Sequence, residues 1–491
     1  MKKEESQGLV RHLNLLTLTA TGICSMVGAS IYVVPVMIQK NVPGIGPDVL
    51  PAFLIAAVPA LFAALSYAVL ASAMPSAGGS YIYASRSLNP YIGFVATFSQ
   101  WFGLSFVIGV VAFVTIPFFR DFFNALGFVE IGTFLAIPLV RLCAAMAILL
   151  FFTYTNIRGG TFYANTLIPL MILMFFLGGI VVFFGFYYDK TDFAKALLAK
   201  TGIPLMEKPL LAFSWQTLFT GASILFASFI GFDSIAQAGG EAKNPYQHLP
   251  KAIMLSILLV GIYYVVFSAA VYHTIPWWYI AEVAKEKDLT APGLFSVVLN
   301  PFWSAIILSG AAIALLNDLP GMILSVSRLV FAWAKDGIIS PFFLRINTKH
   351  RTPQNAILFS SSMSALGILG CHFAGDIFLG IDIMVTSMLV NFMLICLSVV
   401  FLPLRNKSLS HQMLGYRFPK IRTLLALIGV FLLFTLLIFH TLKDLNREQN
   451  HWYFRATWVW LIVMTFGSVW YGIFRLKNKN GKSRFSELPE G

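Results

Sequence analysis

Apolar residues in this chain fall into long runs separated by short polar stretches, a pattern that repeats from near Leu13 to Arg475. A helix rising about 1.5 Å per residue needs about 20 residues to cross a hydrocarbon layer of ~30 Å. Twelve runs reach that length, at approximately residues 13–38, 48–73, 91–119, 133–156, 163–186, 213–238, 252–275, 300–334, 354–374, 379–404, 422–442 and 453–475. The eighth is unusually long, which predicts a tilted helix. The first is too long for the apolar core of a signal peptide, about 7–15 residues, and reads as a spanning helix. No polar stretch is long enough to form a separate soluble domain. The pattern therefore predicts one all-α integral membrane domain of about twelve transmembrane helices.

Composition and charge sharpen this picture. Only 11% of the 491 residues are charged and 58% are hydrophobic, whereas soluble domains carry about 25% charged residues. The net charge of +13 would suggest a nucleic-acid partner in a soluble protein. Here the basic residues crowd into alternate loops, from Lys2, Lys3 and Arg11 through Arg86, Arg158 and Lys243 to Lys482 and Arg484. That asymmetry predicts that both termini are cytoplasmic and that no nucleic acid is involved. Cys24, Cys143, Cys371 and Cys396 lie in or beside apolar runs without close spacing. They read as packing residues rather than disulfide partners or metal ligands.

Two runs look interrupted. The first carries Gly22, Gly28, Ala29 and Ser30, then Pro35; the sixth carries Gly231 within Phe229-Ile230-Gly231-Phe232-Asp233, then Gly239-Gly240. Interrupted spans at corresponding places in two halves point to an inverted-repeat transporter. Glycines that merely let helices pack closely explain the spacing equally well.

Four motifs in order decide between these readings. They are Val27-Gly28-Ala29-Ser30-Ile31-Tyr32-Val33-Val34-Pro35; Met74-Pro75-Ser76-Ala77-Gly78-Gly79-Ser80-Tyr81-Ile82-Tyr83; Phe229-Ile230-Gly231-Phe232-Asp233 with Gly240-Glu241-Ala242-Lys243-Asn244-Pro245 and Leu249-Pro250; and Ser327-Arg328 with Ala334-Lys335-Asp336-Gly337 and Thr352-Pro353. Together they resemble the amino acid–polyamine–organocation superfamily of permeases, and the Gly-Phe-Asp form is most similar to its cationic-amino-acid-transporter-like members. The resemblance implies a five-plus-five inverted-repeat fold with two peripheral helices. It divides the chain into a cytoplasmic N-terminus (1–12), a first repeat (13–186), a second repeat (213–404), spans eleven and twelve (422–475) and a cytoplasmic tail (476–491). It also implies a bacterial plasma membrane and secondary active transport of amino acids by alternating access.

A zwitterion stripped of water near the bilayer midplane needs substitutes for its lost hydrogen bonds. A broken helix supplies amides at one end and carbonyls at the other. On this logic Gly28, Ala29 and Ser30 present amides to the α-carboxylate. Ser30 stands where the family usually has glycine, and its side chain either narrows the pocket or faces a neighbouring helix. Carbonyls near Ala227, Ser228, Phe229 and Gly231 would receive the ammonium group. Phe226, Phe229 and Phe232 are gate candidates, although most of the 46 phenylalanines must simply pack. Asp233 and Asp318 are intramembrane acids, candidates to carry a proton, sense pH or meet a cationic side chain. Each also reads as a hydrogen-bonded packing acid.

Coupling is less constrained. Some proton-linked members place a lysine in span five, and Asn165-Thr166-Leu167-Ile168-Pro169 has none. Ser325 and Ser327 could offer hydroxyls to Na⁺, but H⁺ coupling or substrate exchange is expected ahead of it. Glu241 and Lys243, with Arg86 or Arg328, form either an inner gate or an ordinary solvated loop. His273 and His372 read as interfacial packing residues near the outer helix ends. No reactive constellation, metal motif or phosphate-binding loop occurs in the sequence, so no catalysis, metal or organic cofactor is expected. The expected partners are an amino acid and lipid, with the oligomeric state open. A sensor that binds without transporting, and a polyamine or organic-cation transporter of the same fold, are the alternatives.

Overall fold

The computed structural model describes residues 9–202, 204–205, 212–286, 289–374, 378–446, 455–477 and 488, with Ala29 and Ser30 described by backbone alone. Lys2, Lys3, Lys479, Lys482 and Arg484, which contribute to the charge pattern, lie outside the described residues. Among the described residues twelve helices are long and apolar enough to cross a membrane: Leu15–Asn41, Gly46–Ala71, Pro90–Ala125, Pro138–Arg158, Phe162–Tyr187, Trp215–Gln237, Pro245–Thr274, Pro301–Lys335, Gln354–Phe373, Leu379–Arg405, Pro419–Asn446 and Ala456–Phe474. They are called spans one to twelve below. The protein is an all-α, multi-pass membrane protein.

Proline punctuates helix starts, because its missing N–H is one of the amides that a helix's first turn leaves unbonded anyway. Asn89 and Asn300 cap spans three and eight just ahead of Pro90 and Pro301, accepting from Ile92 N at 2.8 Å and Trp303 N at 3.0 Å. Pro245 likewise opens span seven, there without a side-chain cap from Asn244. That span therefore begins seven residues earlier than its apolar run suggests, and Leu249-Pro250 lies inside the helix rather than ahead of it. Span three likewise extends to Ala125, past the predicted residue 119. Short helices Gly79–Ser87, Lys190–Thr201 and Trp277–Glu286 occupy stretches that the apolar pattern left as loops.

Spans one and six are the most enclosed: 94% and 83% of their apolar windows are buried, against 28% and 17% for spans eleven and twelve. Span three packs against spans eight, nine and ten. Span eleven lies on spans ten, two and six, and span twelve on spans three and ten. The two spans that the sequence marks as interrupted thus sit at the centre, where other helices rather than lipid surround their backbones.

Candidate functional site

Span one is two helices. Its leading half, Leu15–Met26, ends at Val27, and its trailing half, Ala29–Asn41, begins after Gly28 at φ −121°, ψ −129°. The Gly28 N–H turns back to Met26 O at 3.2 Å, so of the three predicted carboxylate-binding amides this one is already engaged. Ala29 and Ser30 open the trailing half, where a helix's first amides have no carbonyl one turn earlier. The question of what the Ser30 side chain faces lies outside the described residues.

Span six is interrupted in the matching place. Trp215–Leu225 gives way to a tight 3-10 turn over Phe226–Phe229, an extended Ile230, and Gly231 at φ +139° before Asp233–Gln237. A side chain on Gly231 would collide with the Ser25 carbonyl and the Met26 nitrogen. The two interruptions therefore lie directly against each other. The Ala227 carbonyl accepts from Ile230 N at 3.2 Å, and the Gly231 carbonyl accepts from Ser234 N at 3.0 Å and Ser234 Oγ at 2.5 Å. Ser234 Oγ also lies 3.1 Å from Ser25 Oγ. The Ser228 hydroxyl, by contrast, is buried with no hydrogen-bond partner among the described residues.

The three gate candidates do not form one cluster. Phe226 and Phe232 meet Phe392 of span ten at ring distances of 6.1 and 5.0 Å, and Phe232 also meets Tyr67 at 5.6 Å. Phe229 points to the other side, against Tyr264 of span seven at 5.5 Å and Phe53 of span two at 6.5 Å. The two acids make different contacts. Asp318 lies at the span-one break, one carboxylate oxygen occupying the place of an absent Gly28 side chain. Asp233 is fully buried and accepts from Gln100 Nε2 at 2.6 Å.

From Asp233 a buried chain of hydrogen bonds continues through Gln100. Asn391 Nδ2 lies 3.0 Å from both Gln100 Oε1 and Tyr67 Oη, Tyr67 Oη lies 2.6 Å from Ser80 Oγ, and Gln237 Nε2 lies 2.5 Å from the same Ser80 oxygen. It joins spans six, three, ten and two to the Gly79–Ser87 helix. Sequence reasoning missed Gln100 and Asn391; amides in the middle of apolar spans were the available signal.

At the end of the molecule that carries Leu13, the second, third and fourth motifs converge. Leu13 pairs with Ala242 as a short bridge, and Glu241 O accepts from the His12 and Leu13 amides, both at 2.9 Å. Gly78 N donates to Gln237 O at 3.0 Å. Arg328 Nε donates to Glu241 Oε1 at 2.7 Å, with both side chains buried. Arg86 pairs with Asp336 through two bonds, and Tyr81 Oη donates to the same carboxylate at 2.6 Å. Glu241 is thus a buried ion-pair member and not part of a solvated loop; Lys243 remains exposed. Arg86 takes Asp336 rather than Glu241 as its partner. Ser327 Oγ is engaged by Leu324 O and Arg328, both at 2.9 Å, while Ser325 Oγ has no partner among the described residues.

The opposite end holds a cavity of about 490 Å³, lined by Val33, Val34 and Met37 of span one, Val110 and Phe113 of span three, and His372. His273 instead stitches span seven to the end of span five, its Nδ1 lying 3.0 Å from Gly185 O. One end of the central bundle is pinned by buried charge, and a cavity opens at the other.

Similarity to known proteins runs along most of the chain. A family model described as "Amino acid permease" matches residues 13–466. The branched-chain amino acid permease BcaP of Bacillus subtilis (strain 168) is 28% identical over 73% of this chain and 75% of its own. The vacuolar cationic amino acid transporter 4 of Arabidopsis thaliana is 27% identical over 76% of this chain, but the match spans 60% of that protein. The methylthioribose transporter of Bacillus subtilis (strain 168) is 23% identical over 82% of this chain and 83% of its own.

Proposed function

The chain belongs to the amino acid permease family, and from that premise we propose that it carries neutral or cationic amino acids across a bacterial plasma membrane by alternating access. It is a membrane transporter and not an enzyme. The observation that carries the proposal is the apposition of the two broken spans, with Gly231 against Ser25 and Met26. In this reading the α-carboxylate takes the first amides of Ala29–Asn41. The ammonium group takes the carbonyls near Ser228 and Phe229. Phe226, Phe229 and Phe232 close over the site from two sides, and the aliphatic and aromatic walls choose among side chains.

The sealed end, with Arg328–Glu241 and Arg86–Asp336, is read as cytoplasmic, following the basic loops. The cavity at the other end is then the outward approach. Opening one end while closing the other requires breaking the buried ion pairs, which makes them the inner gate. The names of the relatives support branched-chain or basic amino acids as first substrates to test. Labelled leucine and lysine uptake into proteoliposomes is expected to exceed that of aspartate. Binding without accumulation would mean a sensor instead. Thermal stabilisation of the purified protein by polyamines and by no amino acid would favour the organic-cation alternative.

For coupling, we favour H⁺ or exchange over Na⁺, because Ser327, one of the two hydroxyls that could be offered to Na⁺, is already engaged. Asp233 is the coupling candidate: buried, one oxygen held by Gln100 and the other without a partner among the described residues. Asp233→Asn is expected to flatten the pH profile of uptake while leaving protein abundance near wild type. A profile superimposable on wild type removes Asp233 from coupling.

A further inference from the structure

The loop that joins spans ten and eleven forms most of the wall of a cavity of about 650 Å³, completed by Ser72 just past span two and Tyr246 at the start of span seven. Ser72 fastens the loop, its Oγ accepting from Leu414 N at 2.8 Å. Tyr246 follows closely on Ala242, the bridge partner of Leu13, so the cavity lies at the Leu13 end. Arg422 stands beside it. Its amide donates to Phe418 O at 3.1 Å and its guanidinium is within electrostatic reach of the Tyr416 phenol, and both of those residues line the cavity. Arg422 is only 7% exposed, and its Nε and Nη1 are buried without a hydrogen-bond partner among the described residues. No ion pair reaches it among those residues. A guanidinium cannot shed its charge, and leaving it buried and unpaired is expensive. Its place near the start of Pro419–Asn446 raises the cost, because the helix's own partial charge there is positive.

The chain nearby supplies only more positive charge. Residues 383–443 contain no acid, while Arg405, Lys407, Arg417 and Lys420 are all exposed, and Arg417 lines the cavity. An anion completes such a donor set, and two phosphate oxygens match the fork of a guanidinium. The rim adds a second requirement. Leu414 and Phe418 line the cavity yet are exposed, as are Ile421, Leu424 and Phe431 along span eleven. Charge inside and apolar surface at the mouth, at the end of a spanning helix, suit a phospholipid. We propose that this cavity binds the phosphate of an anionic phospholipid from the leaflet at the Leu13 end, with Arg422 as its buried anchor and Arg417 beside it. Basic clusters just beyond a spanning helix draw such lipids. A choline or ethanolamine headgroup brings its own cation, for which the loop offers no carboxylate, so a headgroup of net negative charge is selected. The bound lipid ties the loop to spans two and seven. The recognised chemistry is a phosphate, which soluble phosphate esters share.

Thermal shift of the full chain, purified and delipidated in detergent, separates the sources. The probes are dihexanoyl phosphatidylglycerol, dihexanoyl phosphatidylcholine, glycerol 3-phosphate and inorganic phosphate. Wild-type protein is expected to be stabilised by the glycerol lipid at concentrations about tenfold or more below those of the choline lipid, and by neither soluble phosphate in that range. Arg422→Met is expected to raise the half-saturating concentration of the glycerol lipid by about tenfold or more. Without lipid it is expected to melt no lower than wild type, because an unpaired buried charge has been removed. Arg417→Gln, at an exposed position, is expected to weaken the lipid by a smaller factor, and Lys195→Gln on the Lys190–Thr201 helix to leave it unchanged. An Arg422→Met response equal to wild type overturns the anchor. Arg422→Met that melts well below wild type without lipid overturns the unpaired state from which the anchor is inferred. Equal stabilisation by both lipids overturns the charge selection, and equal stabilisation by glycerol 3-phosphate overturns the lipid as source; neither needs a variant. Wild-type protein that responds to none of the four probes overturns the site.

Discussion

Gly231→Ala is expected to reduce substrate uptake by about tenfold or more, because the position needs glycine twice over. Its φ of +139° lies in a region that residues with a Cβ occupy only under strain, about 1–3 kcal/mol each. The Cβ would also meet the Ser25 carbonyl and Met26 nitrogen, which are backbone atoms and cannot rotate away. Relief requires the two broken spans to separate or span six to rewind as a helix, and either change removes the carbonyls offered to the ammonium group. A barrier raised by about 1.4 kcal/mol already lowers a rate tenfold. Gly472→Ala on span twelve is the control: nothing lies within 4 Å of the added methyl. Uptake and membrane abundance measured together separate transport failure from loss of folded protein. Wild-type uptake by Gly231→Ala would contradict the role given to the break.

The twelve spans were legible because crossing a bilayer imposes length and apolarity on contiguous residues. The two breaks were legible as glycine clusters, and the family motifs resolved what those clusters meant. Partnerships across the sequence were not. Gln100 and Asp233 are 133 positions apart, and Asn391 lies 291 positions from Gln100. Nothing in the local pattern of either neighbourhood announces that they meet. Glu241 misled for the same reason. Flanked by glycines, Ala242 and Lys243, it has the composition of a surface loop. Its burial depends on Arg328 arriving from span eight and on the chain near Leu13 covering it. The location of Asp318 at Gly28 was equally hidden, since it requires knowing how span eight rotates about its axis. Local pattern thus set the elements, whereas the electrostatics of the centre arise from which helix faces meet.

Breaking the Arg328–Glu241 pair is expected to have the other large effect. Glu241→Ala leaves the Arg328 guanidinium, 1% exposed, with Ser327 Oγ as its remaining hydrogen-bond partner among those named here. Removing one member of a buried pair costs about 3–5 kcal/mol. If that penalty falls on the sealed conformation alone, it shifts the balance between sealed and open states by about two to almost four decades. Uptake should fall sharply and the Leu13 end should gape. Cys24, fully buried in span one, provides the readout in a protein whose other cysteines are replaced by serine. A membrane-impermeant maleimide applied from the cytoplasmic side should label it in Glu241→Ala and spare it in the parent. The companion variant Glu241→Leu with Arg328→Met removes both charges together. It should recover membrane abundance, because no charge is left unpaired, yet it should not recover uptake, because the seal then no longer depends on a pair that hydration can open. Single variants that transport normally and keep Cys24 protected would show that the pair holds the fold together without gating it.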